Sequence, residues 1–346
     1  MKSLQEFTEY FEPVFSDSVT HLIERSVGRG GSLQLHDQIR YISLLAKKGK
    51  RFRPYMIYSA YTLSGGKEDI QDILIAIELL HLFALIHDDI MDKSDVRHSV
   101  PTIHVYSENI YAAQGDGDAK NRGIAQAILI GDLVFAWSVE FFNKGIVHAP
   151  KEIQQKTHAV YATLLEEVTV GQMIDVDISA LDIAPVAMVE QKNILKTAQY
   201  TFVRPLSLGA VFAGAQETVC ARYEKIGTLL GMAFQAQDDL LDIYGTESGK
   251  PLCVDVALGQ QTLVSAYMTQ ADSVYKDVFF SAYRKTLKSG DIEKIQDVVE
   301  KSGVRTRITT CIEKAFNDIR IHIQNTSKEE QLFWEGCLTL LEKRTK

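Results

Sequence analysis

Cysteine is scarce in this chain. The four in its 346 residues, Cys220, Cys253, Cys311 and Cys337, stand at least 26 residues apart and form no C-x-x-C pair. That spacing argues against a zinc knuckle or disulfide framework, and the expected compartment is a reducing cytoplasm. Glycine (22) and proline (7) are also sparse, while 46% of residues are apolar, so collagen-like, low-complexity and wholly disordered chains are excluded. Positive charge is in deficit. Lys and Arg number 37 against 45 Asp and Glu, a net charge of −8 whose field opposes a phosphate backbone and argues against nucleic-acid binding. Long apolar runs are missing too. The most apolar segment, Ile73 to Ile86, is interrupted by Glu78 and His81, and no transmembrane helix is expected. The start, Met1-Lys2-Ser3-Leu4-Gln5-Glu6-Phe7 with Glu9 and Glu12 close behind, lacks the apolar stretch of a secretory signal.

Strand alternation is hard to find anywhere, and helical spacing is common. Helices are expected over Leu4–Ile23, Pro54–Leu63, Ile73–Ile86, Ile124–Phe142, Ile153–Asp177, Val186–Ala213, Cys220–Ile243, Thr262–Met268 and Ile308–Gln324. Ile73–Ile86 is apolar on every face, which suits a helix surrounded by other helices. Breaks at Gly28–Gly31, Gly65–Gly66, Gln114–Arg122 and Gly245–Pro251 are short turns rather than linkers. The expected fold is therefore all-α, a single domain over residues 1–346. Ser327 and Glu330 have capping-box spacing ahead of a last amphipathic helix. The Asp116-Gly117-Asp118 loop lacks an EF-hand pattern, since Lys120 stands where an oxygen ligand is required.

Asp88-Asp89-Ile90-Met91-Asp92 directly follows the buried run, so a helix would crowd three carboxylates at i, i+3 and i+4 spacing near its C-terminal end. Like charges there oppose both one another and the helix dipole, so a cation is expected beside them. Asp238-Asp239-Leu240-Leu241-Asp242 repeats the spacing 150 residues later. A solvated acidic helix end would explain one such cluster. Two, each emerging from an apolar helix, suggest facing carboxylates across a shared cavity, where oxygen ligands suit Mg²⁺ bridged to substrate phosphates. Lys47, Lys48, Lys50, Arg51 and Arg53 precede Pro54, a good first helical residue, and a basic loop at a helix N-terminus is an anion site.

With these features in place, the chain resembles the all-trans polyprenyl diphosphate synthases, of the isoprenoid synthase fold, a helical bundle around a central cavity. The resemblance runs from Gly49-Lys50-Arg51-Phe52-Arg53-Pro54 to the region of Gly303. Its blocks are Glu78-Leu79-Leu80-His81, the first aspartate motif, Arg97 with Pro101-Thr102, Gly131-Asp132-Leu133, Gly171-Gln172 with Asp175, and Lys196-Thr197-Ala198. Phe234-Gln235-Ala236-Gln237, the second aspartate motif, and Gly249-Lys250-Pro251 with Asp255 complete it. It implies that Asp88, Asp92 and Asp238 ligate magnesium, with Asp89, Asp239 and Asp242 as further or supporting ligands. Arg97, Lys196 and Lys250 would grip the diphosphate of an allylic substrate. Lys50, Arg53 and His81 would hold isopentenyl diphosphate, with Thr197 and Gln235 lining the reacting end. Gln172 and Asp175 are further candidate substrate residues.

Two positions depart from the family pattern. Arg97-His98 stands where two arginines are usual, so the grip on isopentenyl diphosphate is expected to be weaker or pH-dependent. Gly259-Gln260-Gln261-Thr262-Leu263 carries Gln260 where a lysine is usual, an uncharged donor in place of a cation. Phe83 and Ala84, five and four residues before Asp88, resemble the floor of geranylgeranyl diphosphate synthases and imply a twenty-carbon product. A homodimer is implied by the family. The competing expectations are a terpene cyclase on the same fold, which needs no second diphosphate site, and a non-catalytic subunit of a heteromeric synthase, which needs neither aspartate motif.

Overall fold

Ser3 and Glu6 start the first helix with a reciprocal capping box, Glu6 N donating to the Ser3 hydroxyl at 3.3 Å and Ser3 N to the Glu6 carboxylate at 2.7 Å. The structure is a computed structural model that describes residues 1–245 and 251–344, so Lys250 and most of the Gly245–Pro251 break lie outside the described residues. Among the described residues the regular secondary structure is helical except for one two-stranded hairpin, and the expected all-α class is observed. The chain divides into two compact units, residues 1–58 with 67–154 and residues 59–66 with 155–346, the divisions falling inside α3, in the turn that follows it, and inside α7.

The first unit holds α1 (Leu4–Val27), α2 (Leu33–Ala46), the start of α3 (Phe52–Leu63), α4 (Gln71–Met91), the hairpin β1 (Val96–Arg97) and β2 (Val100–Pro101), α5 (Ile103–Ala113) and α6 (Ala119–Ile146). Phe7, Phe11 and Phe15 recur every four residues along α1 and stack at 5.5 and 5.7 Å. All residues from Ile73 to Leu80 are buried, as the absence of a polar face predicts, and α4 packs along α6, where the Ser138 hydroxyl donates to Ala76 O at 2.7 Å. Beyond His81 the faces of α4 diverge, and its last turns carry half-buried side chains to the end of the helix. By length and composition α6, rather than Ile73–Ile86, is the described helix apolar enough to cross a membrane. A third of its most apolar window is buried (33%), and Ile128 and Leu129 are exposed.

The second unit holds α7 (Lys151–Ser179, from residue 155), α8 (Val186–Lys192), a π-helix (Asn193–Val203), α9 (Arg204–Phe212), α10 (Glu217–Tyr244), α11 (Val254–Leu258), α12 (Leu263–Met268), α13 (Ser273–Ala282), α14 (Ser289–Lys301), α15 (Val304–Ile323) and α16 (Lys328–Arg344). The helix expected over Val186–Ala213 is thus three segments in succession, with wide π turns in the middle. Helix α10 is the axis of this unit and packs on the π-helix, α9, α15 and α16. The last helix begins as expected at Ser327, whose hydroxyl accepts from Glu330 N at 3.2 Å. The Glu330 carboxylate, however, turns inward to Arg222 at 3.1 Å instead of closing the box.

Candidate active site

In the first unit the three carboxylates at the end of α4 do not share one environment. Asp89 turns inward, 2% exposed, and accepts from Arg97 Nε at 2.8 and 2.9 Å, with Nη2 at 2.7 Å. This is the cation expected from the helix dipole, and it comes from β1. Burial raises the Asp89 carboxyl and Arg97 pulls it back. Asp88 is half-buried with Arg97 4.0 Å away, and Asp92, the C-cap, is exposed. The turn after Arg97 places both His98 (φ 52) and Ser99 (φ 66) in the left-handed region, the geometry that closes a tight two-residue hairpin. His98 is exposed, and its carbonyl accepts from Lys48 Nζ at 2.7 Å, joining hairpin to basic loop.

Within that loop the residue that fixes the conformation is Arg51. Its backbone is left-handed (φ 50), a strain of about 1–2 kcal/mol. Offsetting this, its guanidinium, 2% exposed, donates to Glu12 at 2.7 and 3.0 Å, to Glu78 at 2.6 Å and to Ala46 O at 2.5 Å, and lies 4.7 Å from the Phe15 ring centroid. Lys50 and Arg53 flank this anchor, and α3 starts at Phe52, two residues before Pro54. His81 lies in a crevice with Lys48, Arg51 and Glu78. Burial holds its imidazole well below the usual value, and the charges of Arg53, Arg97, Arg51 and His98 push it further down. Residues from the basic loop, α4 and the hairpin thus close on one histidine. Two residues on, Phe83 packs on His87 (4.6 Å) and Phe135 (5.0 Å), with Ala84 half-buried beside it. His87 donates to Ile128 O at 3.2 Å and lies 3.6 Å from Asp132, against Gly131.

In the second unit the π-helix carries Lys196 and Thr197 between two glycine contacts. A Cβ at Gly171 of α7 would lie 2.7 Å from Lys196 N, and one at Gly231 of α10 would collide with Ala198, so both helices approach the π-helix backbone directly. π turns recur at functional sites because they change the direction in which side chains leave the helix. Thr197 Oγ1 donates to Gln235 Oε1 at 2.8 Å, Gln235 Nε2 to Asp239 Oδ1 at 2.8 Å, and Leu263 N to Asp239 Oδ2 at 2.7 Å. Asp239 is 3% exposed, and burial pushes its carboxyl up to about 6 against these donors. Asp242 receives Val254 N at 2.9 Å and Asp255 N at 3.2 Å, capping α11. Burial, then Asp242 and Asp239, push Asp255 up to about 7. Asp238 is half-buried. Asp175 pairs with Lys196 at 2.6 Å and Lys192 at 3.4 Å; burial works against its ionisation, yet the two lysines hold it below the usual carboxylate range. Gln172 is half-buried on α7, three residues before Asp175, and Gln260 is half-buried, its backbone N donating to Asp255 O at 2.8 Å.

Arg51, expected among the anion-binding cations of the basic loop, instead spends its guanidinium on Glu12 and Glu78, and the sequence assigns no role to Glu12, Glu78, Lys192 or Gln261. One signal was available: a glutamate inside the most apolar run requires a buried cation, and Glu78 has one in Arg51. Among the described residues no three carboxylate, histidine or cysteine side chains converge to hold a metal ion unaided. Asp88 and Asp92 at the end of α4, and by itself Asp238 on α10, are hard oxygen donors left half-buried or exposed, and donors of this chemistry suit Mg²⁺, which keeps waters and shares its coordination with substrate phosphates.

A family profile described as Polyprenyl synthetase matches residues 34–301. A geranylgeranyl diphosphate synthase of Sulfolobus acidocaldarius is 30% identical over 261 residues, 74% of this chain and 73% of that one. A short chain isoprenyl diphosphate synthase of Methanocaldococcus jannaschii is 30% identical over 269 residues, 75% of each. Among solved structures, the geranylgeranyl pyrophosphate synthase of Corynebacterium glutamicum complexed with isoprenyl diphosphate and magnesium shares the fold, with TM-score 0.85 at 24% identity over 97% of this chain and 98% of that one. The chain belongs to the polyprenyl synthetase family, a family of prenyl-transferring enzymes.

Proposed function

We propose that this chain joins an allylic diphosphate to isopentenyl diphosphate and that its main product is the twenty-carbon geranylgeranyl diphosphate. The observation that carries the proposal is the cluster of Arg53, Arg97 and His98 around His81, in the same unit as Asp88 and Asp92. An ionising prenyl enzyme that condenses nothing, such as a terpene cyclase, has no use for an anion site of this kind beyond its metal carboxylates. Lys50, Arg53 and His81 hold the diphosphate of isopentenyl diphosphate, and Arg97, Lys196 and Lys250 grip that of the allylic substrate. Asp88, Asp92 and Asp238 would hold magnesium, which when bound would supply positive charge to the leaving diphosphate. The allylic C–O bond breaks with its electron pair going to diphosphate; the isopentenyl double bond supplies the pair for the new C–C bond, and a proton leaves to the released diphosphate. Thr197 and Gln235, locked to Asp239, present fixed dipoles to the reacting end, and apolar helices keep water away. Phe83, braced by Phe135 and His87, sets the floor that stops growth, with Ala84 as its open neighbour.

The reading includes a homodimer, for which the exposed Ile128 and Leu129 of α6 offer apolar surface, and a cytoplasmic location, in keeping with four free cysteines. Incubation of purified protein with Mg²⁺, isopentenyl diphosphate and an allylic diphosphate, followed by product chromatography, tests it. The expected result is a twenty-carbon product, turnover lowered by orders of magnitude in Asp88→Ala and Asp238→Ala, and longer chains from Phe83→Ala. Absence of any elongated product overturns the activity, and an unchanged length in Phe83→Ala removes the floor role.

A further inference from the structure

The second unit carries five aspartates whose charges bear on one another or on the same lysines: Asp175, Asp238, Asp239, Asp242 and Asp255. Lys196 is bonded to Asp175 at 2.6 Å, so that carboxylate already has a close cation. Lys192, the last residue of α8, is nonetheless turned into the same region with its side chain only 12% exposed. Its ammonium donates to Gln261 O at 2.7 Å, lies 3.4 Å from Asp175, and acts electrostatically on both Asp239 and Asp255. Burying a long cationic side chain costs conformational entropy and hydration, and a helix-end lysine with no task there would extend into water.

The segment that Lys192 touches is rigidly held. Gln260 N donates to Asp255 O at 2.8 Å, Gln260 O accepts from Tyr283 Oη at 2.8 Å, and the Gln261 amide bonds Ala184 N at 3.0 Å and Leu181 O at 3.1 Å. Position 260 therefore emerges from a fixed backbone one residue from the carbonyl that holds the Lys192 ammonium, and there the chain carries an uncharged amide. We infer that Lys192 supplies the positive charge that position 260 lacks, so that the cation serving this carboxylate cluster and its bound diphosphate comes from the end of α8 instead of the Gly259–Leu263 segment. The inference rests on the diphosphate chemistry proposed above. Asp175, shared by Lys192 and Lys196, aligns the two cations one helical turn apart, and Gln261 O keeps the added one from collapsing wholly onto the carboxylate.

Titration calorimetry with inorganic pyrophosphate and Mg²⁺, beside steady-state kinetics, tests this in Lys192→Met, Lys192→Arg, Gln260→Lys and the Lys192→Met/Gln260→Lys pair. Loss of one charge-assisted contact in Lys192→Met weakens pyrophosphate binding about tenfold or more and raises KM for the allylic diphosphate above any change for isopentenyl diphosphate. Lys192→Arg retains binding, and Gln260→Lys restores most of it in the Lys192→Met background. Wild-type affinity in Lys192→Met, or a double variant no better than Lys192→Met, overturns the inference, because a residue that merely pins Gln261 O cannot be replaced by a lysine at 260. If Lys192→Met does not fold, Lys192→Gln with and without Gln260→Lys takes its place and is judged by the same two outcomes. Wild-type protein that neither binds pyrophosphate nor forms product overturns the underlying function instead.

Discussion

At the end of α4 the inward aspartate, Asp89, lies against a guanidinium; at the end of α10 its counterpart, Asp239, lies against a side-chain amide and a backbone N–H. Both are nearly inaccessible, at 2% and 3%, and both occupy the second place of the same D-D-x-x-D spacing. In the first unit a full positive charge from the hairpin meets the buried carboxylate. In the second, neutral donors make the direct contacts and Lys192 acts on the carboxylate only at a distance, so burial carries Asp239 up to about 6 and the neighbouring Asp255 to about 7. Identical spacing thus specifies where carboxylates stand, while the elements that close over them decide how readily they hold charge.

The comparison breaks most visibly through Arg97. Arg97→Ala leaves Asp89 buried without its cation, a loss of about 3 kcal/mol in unfolding free energy, the scale for breaking a buried pair. Gln235→Ala removes one neutral donor from Asp239 while Leu263 N remains, and about 1 kcal/mol is expected. Denaturant unfolding of the metal-free proteins measures both. Equal losses would mean that the charged and neutral solutions are energetically equivalent.

A smaller effect sharpens the contrast through pH. The folded chain holds Asp239 and Asp255 above their unfolded value of 3.8, so it binds more protons than the unfolded chain between about pH 4 and 7. Their contribution to stability is present at low pH and lost as pH rises through 6 and 7. His81 and His104 are held below 6.5, so their contribution has the opposite sign: it is lost as pH falls below 6.5. In metal-free protein the two slopes oppose one another. Asp255→Asn is therefore expected to raise Tm between pH 5 and 6.5 relative to its own value at pH 5, and His81→Gln to show Tm falling from pH 5 to 7. Parallel profiles in both variants and wild type would remove the assigned groups from the pH response.

The parts of this picture legible beforehand were those with a strong local signature. An apolar run with no polar face could only be a buried helix, and three carboxylates at its end required a cation, which Arg97 is. Other features depended on backbone geometry that residue types do not encode. Lys50, Arg51 and Arg53 look alike in a basic run, yet the left-handed φ at Arg51 turns its side chain to Glu12 and Glu78. The π turns around Lys196 are unreadable because an apolar helical pattern continues through them from Val186 to Ala213, and nothing in the residues around Lys192 sets it apart from a solvated helix lysine. Helices α2, α5, α11, α13 and α14 escaped; in α13 and α14 the buried stripes are short, Phe279 alone in the first and Ile295, Val298 and Val299 in the second.

The finest adjustment to the comparison is His98, the residue that decides how much fixed charge the first unit's anion cluster holds. It is exposed at the hairpin turn with φ 52, and its charge bears on His81. Histidine tolerates this left-handed turn better than most side chains and changes charge near neutrality, so the turn requirement and the charge requirement must be separated. His98→Asn keeps a residue suited to the turn without a titratable ring, whereas His98→Arg makes the charge permanent at a small cost in turn geometry. If His98 serves isopentenyl diphosphate, the arginine variant lowers KM for that substrate a few-fold and flattens its pH dependence between about pH 6 and 8, and the asparagine variant raises KM to a pH-independent value. KM for the allylic substrate stays unchanged in both. Coincident KM profiles for isopentenyl diphosphate across wild type, His98→Arg and His98→Asn would confine His98 to forming the turn and leave Lys50, Arg53 and His81 as the working set for that substrate.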